Sequence, residues 1–258
     1  MFMSSRRIRA VIGFAILFGL YQAAEGLGGL TGRFVVQAGF MIACVAAAWP
    51  VGRYVLGFQG WDAYALERQP KVLLWLVGGV ALAMLAKLAA LFIGQALGQY
   101  EVRFETSLSA ASVLPWLLMA MISTFIPSLA EDILTRGFWW RVPRPVLRGA
   151  LFVLVSSVIY VLNHIYRLHD GPMEWFRLFC FGLAYAVALA RTGSLWAAVG
   201  VHWGWNLTNA LLAGVIVTQG AGDLVPYISA GAHLLMVGAI CLIPTGQHRP
   251  KTQLKTQP

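Results

Sequence analysis

Long apolar stretches separated by short polar segments make up most of this chain. A membrane-crossing helix needs about 20 mostly apolar residues, and the sequence contains a series of such stretches. They cover residues 8–25, 34–56, 71–98, 112–135, 147–166, 174–191, 194–216 and 224–243. The pattern predicts an all-α fold: a polytopic integral membrane helical bundle with about eight transmembrane helices.

The two ends of the chain and one connection need separate interpretations. Arg6, Arg7 and Arg9 precede a short apolar run, an arrangement that resembles a secretory signal peptide. Because many further spans follow, we interpret this segment as an uncleaved first span. Residues 58–70 are predicted to form an interfacial helix or loop, and the polar residues 247–258 a disordered cytoplasmic tail.

Composition and charge agree with a membrane protein and argue against binding of nucleic acid. The chain is 59% hydrophobic and only 11% charged, whereas a soluble domain has roughly 25% charged residues. The net charge is +9, but the basic residues are scattered along the chain. With the N-terminus inside, the inner segments hold 14 of the 19 lysines and arginines and the outer ends hold four. This bias predicts that both termini are cytoplasmic.

Glu131, Asp132 and Arg136 stand at the end of the fourth predicted span. Asp132 and Arg136 are an i, i+4 pair in the favourable order, and we expect them to anchor the helix end at the cytoplasmic surface. An exposed pair of that kind contributes about 0.3–0.5 kcal/mol. Glu131 has no local partner, so it must face a protein interior or a water-filled cavity. Such a carboxylate can act as a general base.

Two histidines lie within later predicted spans. His164 follows Tyr160 by one helical turn, and a histidine snorkelling at the interface is its simpler interpretation. His202 and Asn206 share one helix face, and hydrogen bonding between helices is the alternative there. With Glu131 these residues form a plausible hydrolytic set. Equally, Glu131, His164 and His202 could supply three zinc ligands and leave a position open for water.

Three motifs in consecutive order carry a family resemblance. The motifs are Glu131-Asp132-x3-Arg136-Gly137, Tyr160-x3-His164 and His202-x3-Asn206. They resemble the EExxxRG, FxxxH and HxxxN patterns of the CPBP family, the intramembrane endopeptidases related to the CAAX prenyl protease and to bacteriocin-processing proteins. The resemblance covers about residues 112–216. Asp132 and Tyr160 depart from the family pattern, which has a second glutamate and a phenylalanine at these positions.

The resemblance implies an α-helical membrane protease with a cavity that opens to the cytoplasm. Glu131 would be the catalytic base, His164 its partner, and His202 with Asn206 the oxyanion side or further ligands; Asp132 and Arg136 would support them. Simple helix rise, however, places His164 about 10 Å deeper than Glu131. The implied division is N-terminal helices with an interfacial segment (1–111), a catalytic core (112–246) and the tail.

The function expected is an intramembrane endopeptidase that acts on membrane-associated peptides or proteins in a bacterial inner (plasma) membrane. A non-catalytic scaffold or peptide-immunity protein on the same fold is the first alternative. A proton-coupled transporter is the second, with Glu131 and the histidines as a proton relay. The sequence lacks the half-to-half repeat that many transporters show.

Overall fold

Helices form most of the computed structural model, which describes residues 5–68, 70–104, 108–143, 147–219 and 222–243. The helices are α1 (Ser5–Thr31), α2 (Phe34–Pro50), α3 (Val72–Ala96), α4 (Ala110–Asp132), α5 (Phe138–Arg141), α6 (Gly149–Asn163), α7 (Pro172–Thr192), α8 (Leu195–Ala213) and α9 (Val225–Cys241). Helices suit a chain of this composition because they satisfy every backbone polar group internally. The predicted all-α bundle is confirmed. The predicted tail, 247–258, lies outside the described residues.

Several helices are long and apolar enough to cross a membrane. Within the described ranges, five meet this condition: Ser5–Thr31, Phe34–Val55, Val72–Ala96, Ala111–Arg141 and Pro172–Thr192. Gly149–Asn163 and Val225–Cys241 are shorter apolar helices. The protein is therefore an integral membrane helical bundle, and the number of eight spans stays a prediction.

Connections that the basic-residue bias assigns to the cytoplasmic side contact one another. The backbone N–H of Leu195, at the start of α8, donates to the carbonyl oxygen of Ala65 at 2.9 Å. Arg141, at the end of α5, forms an ion pair with Glu67. Residues 60–64, within the predicted interfacial segment, form a 3₁₀ turn. Its Tyr64 is fully buried, and the Tyr64 hydroxyl donates to the carbonyl of Ala48 at 2.9 Å.

Connections assigned to the opposite side also meet. Strand β1 (Glu101–Phe104) follows α3, and strand β2 (Ile216–Gln219) follows α8. The two strands pair in antiparallel register, with Glu101 opposite Gln219 and Phe104 opposite Ile216. Each set of connections therefore makes contacts within itself, which is consistent with an alternating arrangement of spans.

Glycines bring α3 and α8 into close contact. Gly200 and Gly204 lie one turn apart on α8, in the small-xxx-small arrangement that lets membrane helices approach closely. A Cβ added at Gly204 would lie 2.7 Å from the Cα of Val80, and one added at Gly200 would lie 3.1 Å from the Cα of Leu76. His202 lies between these two glycines, so this packing fixes the position of its backbone.

The helical path that begins with α4 continues past residue 135, where the sequence predicted the end of the span, as far as Arg141. A π-helical turn, Ile133–Gly137, follows α4 directly and leads into α5. Gly137 permits the close approach of the 3₁₀ turn to this helix, because a Cβ there would lie 2.7 Å from the carbonyl oxygen of Tyr64. π-Helical turns often occur at functional sites, and this one begins immediately after the carboxylate pair.

Candidate active site

Glu131 lies between two imidazoles. The His164 Nε2 atom is 3.5 Å from Oε1 of Glu131, and the His202 Nε2 atom is 3.6 Å from Oε2. The side chains of Glu131, His164 and His202 are 7%, 15% and 3% exposed. The structure thus brings together three residues of the predicted set from α4, the end of α6 and α8.

The depth difference calculated for His164 does not occur. The sequence predicted a span over residues 147–166, whereas α6 begins at Gly149 and ends at Asn163. His164 itself lies at the junction of α6 and a 3₁₀ turn over Ile165–Asp170. His164 nevertheless lies 3.5 Å from Glu131, so the rise counted along each helix does not measure the relative depth of the two residues.

Hydrogen bonds orient both imidazoles. The His164 Nδ1 atom is 2.8 Å from the carbonyl oxygen of Tyr160, and the His202 Nδ1 atom is 3.3 Å from Oδ1 of Asp132. A carbonyl or carboxylate oxygen accepts, so we infer that Nδ1 carries the proton in each ring. In the neutral form of each imidazole, Nε2 is then the acceptor, and in both rings it faces Glu131.

Asp132 and Arg136 form an ion pair inside the bundle. The predicted i, i+4 pairing is present, but both side chains are 0% exposed. The expectation that they anchor a helix end at the surface is therefore wrong, because the chain continues as helix beyond them and other helices cover them. The guanidinium carbon of Arg136 lies 4.5 Å from the ring centroid of Tyr160. Asp132 contacts both Arg136 and His202, so it links the ion pair to the site.

Asn206 lies one helical turn from the cluster around Glu131. Its Nδ2 atom donates to Oγ of Ser128 at 3.1 Å. Helices α4 and α8 are antiparallel and form two adjacent contacts. One joins Glu131 to His202, and the other, about one turn away, joins Ser128 to Asn206. The second amide hydrogen of Asn206 is not needed for this bond.

Two amide side chains that the sequence did not single out also hold Glu131. Nδ2 of Asn163 donates to Oε1 of Glu131 at 3.2 Å. Gln22 of α1 donates through Nε2 to the backbone oxygen of Asn163 at 2.8 Å and to its Oδ1 at 3.1 Å. The position of Asn163 directly before His164 was the one feature of the sequence that could have indicated its place beside Glu131. The contact of α1 with the site has no signal in sequence spacing.

The donor set predicted for zinc is chemically suitable, with two imidazoles and one carboxylate. Across the described ranges, no group of three or more His, Cys, Asp or Glu side chains is placed to hold a metal ion. The two imidazoles approach different oxygens of Glu131. The zinc set stays a prediction that experiment must test.

Comparison with known proteins supports the resemblance seen in the motifs. Residues 113–208 match the family described as Type II CAAX prenyl endopeptidase Rce1-like. Searches of the curated proteins and of the solved structures gave no match. The matched range contains all three motifs, so the resemblance to CAAX-type proteases is confirmed for this part of the chain. Helices α1, α2, α3 and α9 lie outside it.

Proposed function

We propose that this chain is an intramembrane endopeptidase that hydrolyses peptide bonds in membrane-associated peptides or proteins. The observation that carries the proposal is the orientation of both Nε2 atoms toward the buried carboxylate of Glu131. A histidine that only snorkels at an interface has no need of such a partner. A bond between helices would not require two imidazoles around one carboxylate.

A water molecule fits the chemistry of this arrangement. The N–O separations of 3.5 and 3.6 Å exceed those of a direct hydrogen bond. Neutral imidazoles and an ionised carboxylate offer acceptors, and water has two hydrogens to donate. A water bound here would donate to Glu131 and to one Nε2 atom, which directs a lone pair of its oxygen toward a bound peptide carbonyl.

In the proposed reaction, Glu131 accepts a proton from water as the water oxygen attacks the carbonyl carbon of the peptide bond. A tetrahedral intermediate with a negatively charged oxygen results, and the free amide hydrogen of Asn206 is the proposed donor to that oxygen. Glu131 then returns the proton to the amide nitrogen, and the C–N bond breaks. The products are a carboxylic acid and an amine, which exchange a proton to become a carboxylate and an ammonium group, and Glu131 is again ionised.

His164 and His202 have supporting roles in this scheme. Each Nδ1 proton is donated to a fixed acceptor, so either Nε2 atom can accept the second hydrogen bond of the attacking water. Asp132 and Arg136 hold His202 in this orientation. The scheme contains no step through a metal.

The substrate class follows from the surroundings of the site. Glu131 is buried between helices of a membrane bundle, so the scissile bond must be presented within or next to the bilayer. The matching family is described as a prenyl endopeptidase, and a prenylated peptide is accordingly one of the substrates to be tested. An unmodified hydrophobic peptide is the other.

The test compares peptide termini in cell membranes that contain the parental chain or the Glu131→Gln variant at equal abundance. We expect termini that depend on the parental chain and disappear with Glu131→Gln, because a general base contributes about 10²–10⁴-fold in rate. Glu101→Gln is the matched control, because Glu101 is exposed on β1. Purified protein in liposomes is then given a farnesylated CAAX peptide and its unprenylated counterpart.

Identical termini in parental and Glu131→Gln membranes would refute the catalytic proposal. A phenotype that persists in Glu131→Gln would favour the scaffold or immunity protein. Proton-coupled uptake into vesicles, abolished by the same substitution, would favour the transporter. Cleavage of only one of the two peptides in liposomes decides the substrate class.

A further inference from the structure

The ring of Tyr185 lies parallel to the imidazole of His202. The ring centroids are 4.6 Å apart and the interplanar angle is 18°. Tyr185 belongs to α7 and is fully buried. Its ring also lies 4.9 Å from the guanidinium carbon of Arg136. Tyr185 therefore contacts both groups that surround Asp132, although it belongs to none of the three motifs.

The hydroxyl of Tyr185 is bonded to a second histidine, His233 of α9. The distance between the Tyr185 hydroxyl oxygen and the His233 Nε2 atom is 3.0 Å. His233 Nδ1 is 2.8 Å from the carbonyl oxygen of Ser229, so Nδ1 carries the proton. Nε2 is then an acceptor, and the Tyr185 hydroxyl donates to it. This direction holds the tyrosine ring from the side opposite to the catalytic cluster.

His233 is itself held in a rigid aromatic environment. Its ring stacks on Phe181 with centroids 3.5 Å apart at 18°, and Trp205 contacts it edge-on at 4.3 Å. The His233 side chain is fully buried. Buried polar side chains need hydrogen-bond partners, and both ring nitrogens of His233 have one. The His233 ring is therefore a fixed point to which Tyr185 is attached.

We propose that Tyr185 and His233 are positioning residues that fix the plane of the His202 ring, so that its Nε2 atom faces Glu131. This inference rests on the proposed function of Glu131 and His202. The contact with Asp132 is a single hydrogen bond of 3.3 Å, which orients Nδ1 but does not by itself define the tilt of the ring plane. Stacking on a tethered ring restricts that tilt.

The role assigned to His233 also explains the choice of tyrosine over phenylalanine. A phenylalanine would offer the same stacking surface, but it would have no bond to α9. The tether runs from Ser229 through His233 and Tyr185 to His202. Helix α9 lies outside the range that matches the protease family, so this chain uses a helix beyond that range to orient a residue of the third motif.

The test uses substitutions that differ in whether they keep the ring or the tether. Tyr185→Leu removes both, Tyr185→Phe keeps the ring, His233→Leu removes the tether and His233→Gln keeps a hydrogen-bond acceptor. Tyr227→Leu is the matched control, because Tyr227 of α9 is exposed. All variants are compared as purified full-length chains at equal folded fraction.

Two readouts are measured. The first is kcat and KM on a cleaved peptide, where a misplacement of about 1 Å can cost 10²-fold. We expect kcat of Tyr185→Leu to fall by about 10²-fold and that of His233→Leu by about tenfold, with little change in KM. His233→Gln should restore most of the rate lost in His233→Leu, and Tyr185→Phe should fall between parental and Tyr185→Leu.

The second readout is the side-chain ¹⁵N spectrum of His202, assigned by comparison with a His202→Gln protein, and it does not depend on proteolysis. We expect its resonances to shift in Tyr185→Leu and His233→Leu and to stay at the parental positions in Tyr227→Leu. Unchanged His202 resonances in Tyr185→Leu would overturn the positioning role, whatever the enzymatic result. Shifted resonances without any Glu131-dependent cleavage would support the positioning and refute the proposed function instead.

Discussion

Replacing Asp132 with asparagine should damage both the stability and the activity of the protein. The side chains of Asp132 and Arg136 are both 0% exposed. Asp132→Asn leaves the guanidinium inside the bundle without its counter-ion, and breaking a buried ion pair in this way costs about 3–5 kcal/mol. The sequence alone suggested a surface pair, for which the cost is about 0.3–0.5 kcal/mol. The two interpretations thus differ by roughly tenfold in free energy.

The same substitution also acts on the site. Oδ1 of Asp132 is 3.3 Å from Nδ1 of His202, and asparagine offers a neutral acceptor in place of a carboxylate. We therefore expect reduced cleavage even by the folded fraction. The Glu131→Gln variant should behave differently from Asp132→Asn, because Glu131 has no lysine or arginine partner among its described contacts. We expect the Glu131→Gln protein to stay folded and its cleavage rate to fall by about 10²–10⁴-fold.

The assay is reversible unfolding in mixed micelles, followed by tryptophan fluorescence, which the 10 tryptophans of the chain make possible. Glu101→Gln is the matched control, because it removes an exposed pair in which the Glu101 and Arg103 side chains are 71% and 59% exposed. We expect its unfolding free energy to change by less than about 1 kcal/mol. The double substitution Asp132→Asn with Arg136→Met should recover part of the loss, since no unpaired charge remains.

A stability loss in Asp132→Asn no larger than that in Glu101→Gln would refute the buried ion pair. A double substitution less stable than Asp132→Asn alone would show that the guanidinium stabilises the bundle mainly through its contacts with the aromatic rings.

Three further predictions concern metal, packing and topology. Cleavage should survive treatment with a chelator; loss of activity that added zinc restores would instead assign zinc to the glutamate and two histidines of the site. Gly204→Ala should destabilise the protein by about 1–3 kcal/mol through overpacking against α3. Gly231→Ala should change the unfolding free energy little, because a Cβ there meets nothing within 4 Å. Equal unfolding free energies of the two variants would contradict the close approach of α3 and α8. Reporter fusions after Pro258 should report cytoplasm, and fusions near Arg103 and Asp223 the opposite side; a C-terminus found outside would refute the predicted orientation.

Local features of the sequence were sufficient for the helices and for the pairs within them. Hydrophobic stretches of the right length predicted where the long apolar helices lie, because such a helix satisfies its backbone internally and can face lipid without partners. The i, i+4 relation of Asp132 with Arg136, and of His202 with Asn206, follows from helix geometry. The three motifs singled out Glu131, His164 and His202, which lie close together in the structure, and the roles of these residues stay a prediction.

Other features depended on contacts between residues far apart in sequence. Asn163 bonds to Glu131, Gln22 reaches Asn163, and His233 holds Tyr185, each across the space between different helices. No periodicity encodes these contacts, because they depend on how the helices pack and rotate against one another.

The burial of Asp132 and Arg136 is the clearest example of the difference. Their pairing is local and was predicted correctly, but their environment was not. A π turn at Ile133–Gly137 extends the helix, and the close approach of Gly137 to the 3₁₀ turn at Tyr64 covers it. Helix geometry was sufficient to predict that the two charges meet. Tertiary packing decided that they meet away from water, and removal from water is what gives a charge pair a large effect on stability.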